Sequence, residues 1–263
     1  MMMNNTIIEG HIYNMKTRGY TVFPKYLSKT MSEKLKKQLV ADLAKYDPQQ
    51  YDSERSVLDR HHLHDLMCRD ISYAKLLEDE RLQQILAPLL GEFWTMYAFT
   101  SSSAAPGSTN YGGRVHVDSP RWIEGYPTNI GVLWALDEFT VNNGGTKVLP
   151  GSHHADMIPT QEYFDENAVQ VECPQGSMIV FDARVVHSTG FNATKQWRHA
   201  LTLNACRSYM KQRMDWPQFI PAVISDELNL QARRIIGFDT RVPKSLEELF
   251  VPPEERLYKA NQG

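Results

Sequence analysis

Apolar positions recur at helical spacing in the first third of the chain and crowd into short runs beyond it. Over residues 30–46, Leu35, Leu39 and Leu43 fall four apart on a charged background, which predicts an amphipathic helix. Ser32 followed by Glu33 marks its expected start. A second helical stretch is expected over residues 71–90, with Leu76, Leu77, Leu82, Ile85, Leu86 and Leu89 as its buried stripe and Pro88 breaking or kinking it. The polar, irregular segment 47–70 between them is expected to be loop.

From Phe93 the texture changes to short β-rich runs at 128–136, 146–149, 169–172, 177–183 and 199–206. Turn chemistry separates them, as in Asn142-Asn143-Gly144-Gly145 and Pro150-Gly151-Ser152. Short strands at close spacing predict a sandwich or barrel. Helical pattern returns over 225–237 and 245–250, before a Pro-rich end at Val251-Pro252-Pro253. No repeat or clear linker divides the chain. The expectation is one domain over 1–263, with a helical part at about 1–92, a β core at about 93–210 and a helical tail at about 211–263.

Bulk properties narrow the function classes. The 263 residues are 42% apolar and 22% charged, an ordinary globular balance, and the net charge of -3 suggests no nucleic-acid or membrane-surface partner. Three scattered cysteines, Cys68, Cys173 and Cys206, fit a reduced compartment better than a disulfide framework. The polar start MMMNNTIIEGHIYNMK lacks the apolar core of a signal peptide, and no run approaches a membrane span. A soluble, cytoplasmic protein is expected, monomeric or homodimeric, acting on a small molecule.

Candidate chemistry concentrates in His116-Val-Asp118, followed 69 residues after the aspartate by His187 and eleven residues later by Arg198. On a strand, side chains i and i+2 share a face, so His116 and Asp118 can converge while Val117 turns away. His187 follows an apolar strand and can reach the same point from a facing sheet edge. Two imidazoles and a carboxylate leave half of an octahedral ion open, the arrangement of non-heme Fe(II) oxygenases. A double-stranded β-helix, the jelly roll of cupins, delivers that geometry. His61, His62 and His64 lack zinc-site partners at suitable spacing and read as solvated or lid residues. His153 and His154 read as structural, and His199 as facing away from the site.

Arg198 opens a strand on which Ala200, Thr202 and Asn204 share its face. A guanidinium is a forked, permanently charged partner for a carboxylate, and a buried one needs an anion. Thr189, two residues after His187, can add a hydroxyl, and Trp134 is a candidate wall of the same pocket.

The runs HVD, NNGGTKVLPGSHH and GSMIVFDARVVHSTGFNATKQWRHALTL together resemble the phytanoyl-CoA dioxygenase family of Fe(II)/2-oxoglutarate oxygenases, over about residues 111–209. The resemblance implies iron ligands at His116, Asp118 and His187. It implies a 2-oxoglutarate partner at Arg198, with Thr189 and Trp134 also contacting the co-substrate. It further implies a mainly β, jelly-roll fold with flanking helices, and consumption of O2 and 2-oxoglutarate with release of succinate and CO2, ascorbate being an accessory reductant. Related halogenases carry a small residue in place of the carboxylate, so Asp118 points to hydroxylation or a related oxidation.

The substrate is less legible. Tyr111, Arg114, Arg121 and Trp122 flank the motif and are candidates for the mouth, while Arg121 and Arg207 are candidate partners for an anionic substrate group. Asn204 is a candidate hydrogen-bond donor. The small, polar segment 99–113 suits a mobile lid, and residues 214–219 are a second candidate cover. No nucleotide-cradling Gly-rich motif is evident, which favours a small or medium metabolite or a natural-product intermediate over an acyl-CoA. The competing readings are a cupin-type metal-dependent hydrolase or isomerase, which leaves Arg198 unexplained, and an inactive ligand-binding relative.

Overall fold

The computed structural model describes residues 3–51, 54, 61–238, 243 and 245–255. Helix α1 (Asn5–Arg18) starts where the Asn4 side chain accepts from Thr6 N, and ends at Gly19 in the left-handed conformation at φ 79°. A Cβ on Gly19 would lie 2.2 Å from Val185, so glycine there serves both the turn and close packing. The chain then enters strand β1 (Tyr20–Phe23). This strand lies inside the part expected to be helical; four residues are too few to show a period. Helix α2 (Lys29–Lys45) buries Leu35 and Leu39 as expected, but its cap is Ser28, which accepts from Met31 N, instead of Ser32.

Residues 71–90 do not form one helix. A turn of α-helix (Ile71–Ala74) runs into a 3-10 turn (Lys75–Glu78), and Asp79 caps a fresh helix, α3 (Glu80–Leu90). Pro88 neither breaks α3 nor ends it: the helix continues to Leu90 and stops at Gly91. Within 47–70, expected to be loop, Pro48–Tyr51 and Leu66–Arg69 each make a helical turn, while 52, 53 and 55–60 lie outside the described residues.

The β-rich runs become β2 (Thr95–Ala104), β3 (Asn129–Ala135), β4 (Thr146–Val148), β5 (Val169–Gln170), β6 (Met178–Asp182), β7 (His187–Thr189) and β8 (Arg198–Cys206). A short helix, α4 (Gln161–Asn167), interrupts them. In the tail, α5 (Leu230–Ile236) and a turn at Leu246–Leu249 match the helical patterns. Five strands pair antiparallel in the order β1-β6-β3-β8-β2, and three in the order β5-β4-β7, giving the facing sheets of a jelly roll flanked by helices.

Alternation along the large sheet defines its two faces. Ile130, Val132 and Trp134 of β3, with Leu201, Leu203 and Ala205 of β8, join the main core beside Leu82, Leu86 and other helical residues. Leu133, Ala135, Ile179, Phe181 and Ala200 point the other way, into a smaller core shared with Val148 of the second sheet. Both faces are covered, so β3 is buried along its whole length. The functional residues lie between the sheets.

The segment expected to be a lid is split. Residues 99–104 are the end of β2, in unbroken register with β8 from Ala98↔Asn204 to Ala104↔Arg198. Its serines are polar without being mobile: Ser101 Oγ accepts from Leu63 N at 2.8 Å, and Ser103 Oγ bonds His199 Nδ1 at 2.8 Å.

Candidate active site

His116 and His187 face each other across an isolated antiparallel bridge. His116 N donates to His187 O at 3.0 Å, and His187 N to His116 O at 2.9 Å. His116-Val-Asp118 is thus pinned to the second sheet at one point and does not form the regular strand expected. Asp118 N and Ser119 N then both donate to Ala183 O. That irregularity has a consequence: Val117 does not turn away but helps line the cavity.

The ligand atoms converge. His116 Nε2 lies 3.6 Å and His187 Nε2 3.8 Å from Asp118 Oδ1, and all three atoms fall within 4.8 Å of one another. These separations are too long for hydrogen bonds, and suit donors that each sit ~2 Å from a shared first-row ion. The opposite ring nitrogens are spoken for: His116 Nδ1 bonds Arg114 O at 2.8 Å, and His187 Nδ1 bonds Val185 O at 2.9 Å. With Nδ1–H donating, each Nε2 lone pair is left to bind metal.

Charge reinforces the geometry. Burial works to raise the Asp118 carboxyl, but the imidazoles of His187 and His116 outweigh it and hold the group below its ordinary range. Burial pulls down the His187 imidazole. It pulls on His116 as well, yet the neighbouring Asp118 carboxylate prevails and raises that ring.

The triad opens on a cavity of about 460 Å³, within the usual size of small-ligand sites. Ser102 of β2 with Thr202 and Asn204 of β8 line it from the large sheet, and Thr146 and Thr189 from the small one; Tyr111 stands at the mouth, 43% exposed. Gly112 presses on Thr189: a Cβ there would lie 2.9 Å from Thr189 Oγ1, so the turn leaves that hydroxyl room only for a small neighbour. A broader groove of about 660 Å³, lined by Lys36 and Glu138, lies away from the triad and brings no ligand set together.

Arg198 adjoins the cavity-lining Ser102, is 1% exposed and does not itself line the cavity. Nη1 donates to Ser102 O at 3.1 Å and Nη2 to Gly144 O at 2.8 Å, and the guanidinium lies over the Phe139 ring. Nε has no partner, and no described carboxylate comes within ion-pair reach. Burial pushes the group down to about 10 although the charge of Asp137 opposes this. Asp137 is committed elsewhere, to Lys36 and to His199 N. A buried, unneutralised guanidinium beside a metal-type triad fits a carboxylate-bearing co-substrate such as 2-oxoglutarate.

Four expected pocket residues lie elsewhere. Trp134 points to the helical side of β3, packed against Phe99 at a tilt and 1% exposed, because even-numbered β3 residues face the main core. Arg121 is exposed outside the cavity. Arg207 is a strut: it donates to the carbonyls of Pro127, Leu90 and Leu89 and lies over the Tyr126 ring. Trp122, expected near the mouth, instead donates to His153 O. Arg213, which the pattern does not single out, reaches the cavity, and so do the neighbouring rings of His62 and His64, expected to be solvated or lid residues. Arg213 lies seven residues beyond the end of β8, where no periodicity signals direction. Of the candidate cover 214–219, Trp216 is core and anchors the segment by donating to Tyr97 O.

Comparison with known proteins places these features in a family. The family model described as phytanoyl-CoA dioxygenase (PhyH) matches residues 15–200. An uncharacterised protein of Mycobacterium tuberculosis is 32% identical over 203 residues, covering 75% of this chain and 74% of that protein. Dioxygenase FUM3 of Gibberella moniliformis is 27% identical over 134 residues, 51% of this chain and 44% of that one. Among solved structures, EctD from S. alaskensis, crystallised with 2-oxoglutarate and 5-hydroxyectoine, superposes with a TM-score of 0.63 at 21% identity, covering 78% of this chain and 76% of that one.

Proposed function

The chain belongs to the phytanoyl-CoA dioxygenase family and is a 2-oxoglutarate-dependent dioxygenase, and on that premise we propose that it hydroxylates, or otherwise oxidises, a small or medium-sized metabolite such as a natural-product intermediate. The observation that carries the site assignment is Arg198, a buried guanidinium with no described carboxylate of its own, bonded to Ser102 of the cavity on which three converging metal-type donors open. Relatives named as dioxygenases in Gibberella and Aspergillus accord with this reading.

Iron and the keto acid, when bound, supply oxygen activation with release of succinate and CO2, and ascorbate serves to restore the reduced metal. The chain supplies position. His116 and His187 present Nε2 because carbonyls hold their Nδ1 protons, and Asp118 stays ionised between them. Arg198 neutralises the far carboxylate of the co-substrate, and the Thr189 hydroxyl adds a hydrogen bond. Asp118 fills the third protein position, which favours oxygen transfer over halide transfer.

The test is anaerobic titration with Fe(II) and then 2-oxoglutarate. Wild type is expected to develop the weak visible charge-transfer absorption of the chelated keto acid, and Asp118→Ala to bind neither ion nor co-substrate while keeping its circular dichroism. Iron binding without that absorption in wild type would sink the reading.

A further inference from the structure

We propose that the oxidised substrate is an organic anion, its carboxylate or phosphate held by Arg114 and Arg213 at the cavity rim and an acceptor on its body facing Asn204. The inference rests on the oxygenase reading and names the substrate class for the same site.

Charge carries the first part. Among the described residues lining the cavity, Asp118 is the single carboxylate, against Arg114 and Arg213 and the imidazoles. A divalent ion on the triad, with Asp118 and Arg198, leaves two positive charges, and the two carboxylates of 2-oxoglutarate cancel them. Arg114 and Arg213 then remain uncompensated. The Arg213 side chain has no hydrogen-bond or ion-pair partner among the described residues, although its backbone N–H is fixed on Tyr97 O at 3.1 Å. Trp216 Nε1 donates to the same carbonyl, so the segment bearing Arg213 is anchored on both sides. Arg114 is braced on Tyr111, its Nη2 donating to the phenol oxygen at 3.1 Å and its guanidinium 4.9 Å from the ring centre. The Arg114 carbonyl also holds His116 Nδ1, so one residue ties the rim to the metal-type donors. Exposed arginines on an open face do little, but a cleft lined by one sign of charge concentrates counter-charged ligands.

Hydrogen-bond polarity carries the second part. Asn204 Oδ1 accepts from Asn129 Nδ2 at 2.8 Å, and Asn129 Oδ1 accepts from Thr128 Oγ1 at 2.9 Å. This relay turns the Asn204 amide so that its NH2 is the group left for the cavity. A fixed donor asks for an acceptor on the ligand.

The test uses the full chain with Mn(II) and 2-oxoglutarate, a loaded form read by thermal shift and titration without turnover. The probes are matched pairs: N-acetyl amino acids against their primary amides, and phosphomonoesters against their parent alcohols. Charged members are expected to bind at least about tenfold tighter than their neutral partners, and Arg213→Gln and Arg114→Gln each to reduce that preference by about tenfold. Continued stabilisation by 2-oxoglutarate reports that the variants fold. Equal binding of charged and neutral partners, binding of neither, or a preference that survives both substitutions overturns the proposal. The acid and phosphate pairs tell which anion is preferred. Wild-type stabilisation by 2-oxoglutarate is read separately: its absence removes the oxygenase reading, while the anion preference is still judged on the probes.

Discussion

Arg198 holds a charge in a place where water cannot reach it, and its surroundings show how that is tolerated. Both Nη groups donate to carbonyls, Phe139 receives the ring-like face, and Nε is left without a partner. Neutral acceptors solvate the ion only in part, which is why burial pushes it down to about 10. Removing such a partner typically weakens a carboxylate ligand by ~2–5 kcal/mol. Arg198→Gln is therefore expected to weaken 2-oxoglutarate about thirtyfold or more by calorimetric titration, with iron affinity little changed; near wild-type affinity would remove the clamp. At this scale the convergence of the triad and the burial of Arg198 are legible in sequence, because strand period and residue type carry them. Arg121 and Arg207 were not: a long side chain goes where carbonyls or anions lie, and those of Pro127, Leu90 and Leu89 are assembled only by folding.

Strand elements place side chains by parity, and parity decides Trp134. Leu133 faces the cavity, so Trp134 must face the helices, where it packs near Phe99 with its Nε1 unbonded. Trp134→Phe keeps most of the buried surface and removes an unsatisfied donor. It is expected to shift stability by less than about 1.5 kcal/mol in urea unfolding and to leave the 2-oxoglutarate KM within about twofold. A tenfold rise in KM at unchanged stability would return Trp134 to the pocket. On β8 the same rule worked as read from sequence: Thr202 and Asn204 do line the cavity. For β2 the composition misled, since Ser and Thr suggest loop, yet their hydroxyls are paired inside a covered sheet. The break at Asp79 within 71–90 leaves no mark in the pattern, because apolar spacing continues through it while the helical backbone does not.

Across the whole molecule, two buried groups set opposing pH responses. His199 is pushed down to about 4, chiefly by burial, so its contribution is complete above about pH 6.5 and lost as pH falls toward 4. Asp182 is pushed up to about 6 by burial, so protonation on acidification relieves a buried charge and stability is gained from about pH 6 down to about 4. Each is worth up to about 3 kcal/mol, and the two offset each other. Their separate effects are read as urea midpoints of variants relative to wild type between pH 6.5 and 4. As pH falls, Asp182→Asn should lose stability more steeply than wild type and His199→Gln less steeply; profiles parallel to wild type would refute the pairing. Neither effect is visible in sequence, because burial depends on which layers close over a residue. The chain by itself determined the donor types, their i and i+2 spacing, the alternation of β3 and β8 and the helical stripes, all of which are local consequences of backbone period. Only the tertiary structure decided that His116 bridges His187, that Arg213 instead of Arg121 reaches the rim, that β1 joins the large sheet beside β6, and that Trp134 belongs to the core. Those outcomes depend on long-range register and on carbonyls and charges far apart in sequence, which no local pattern encodes.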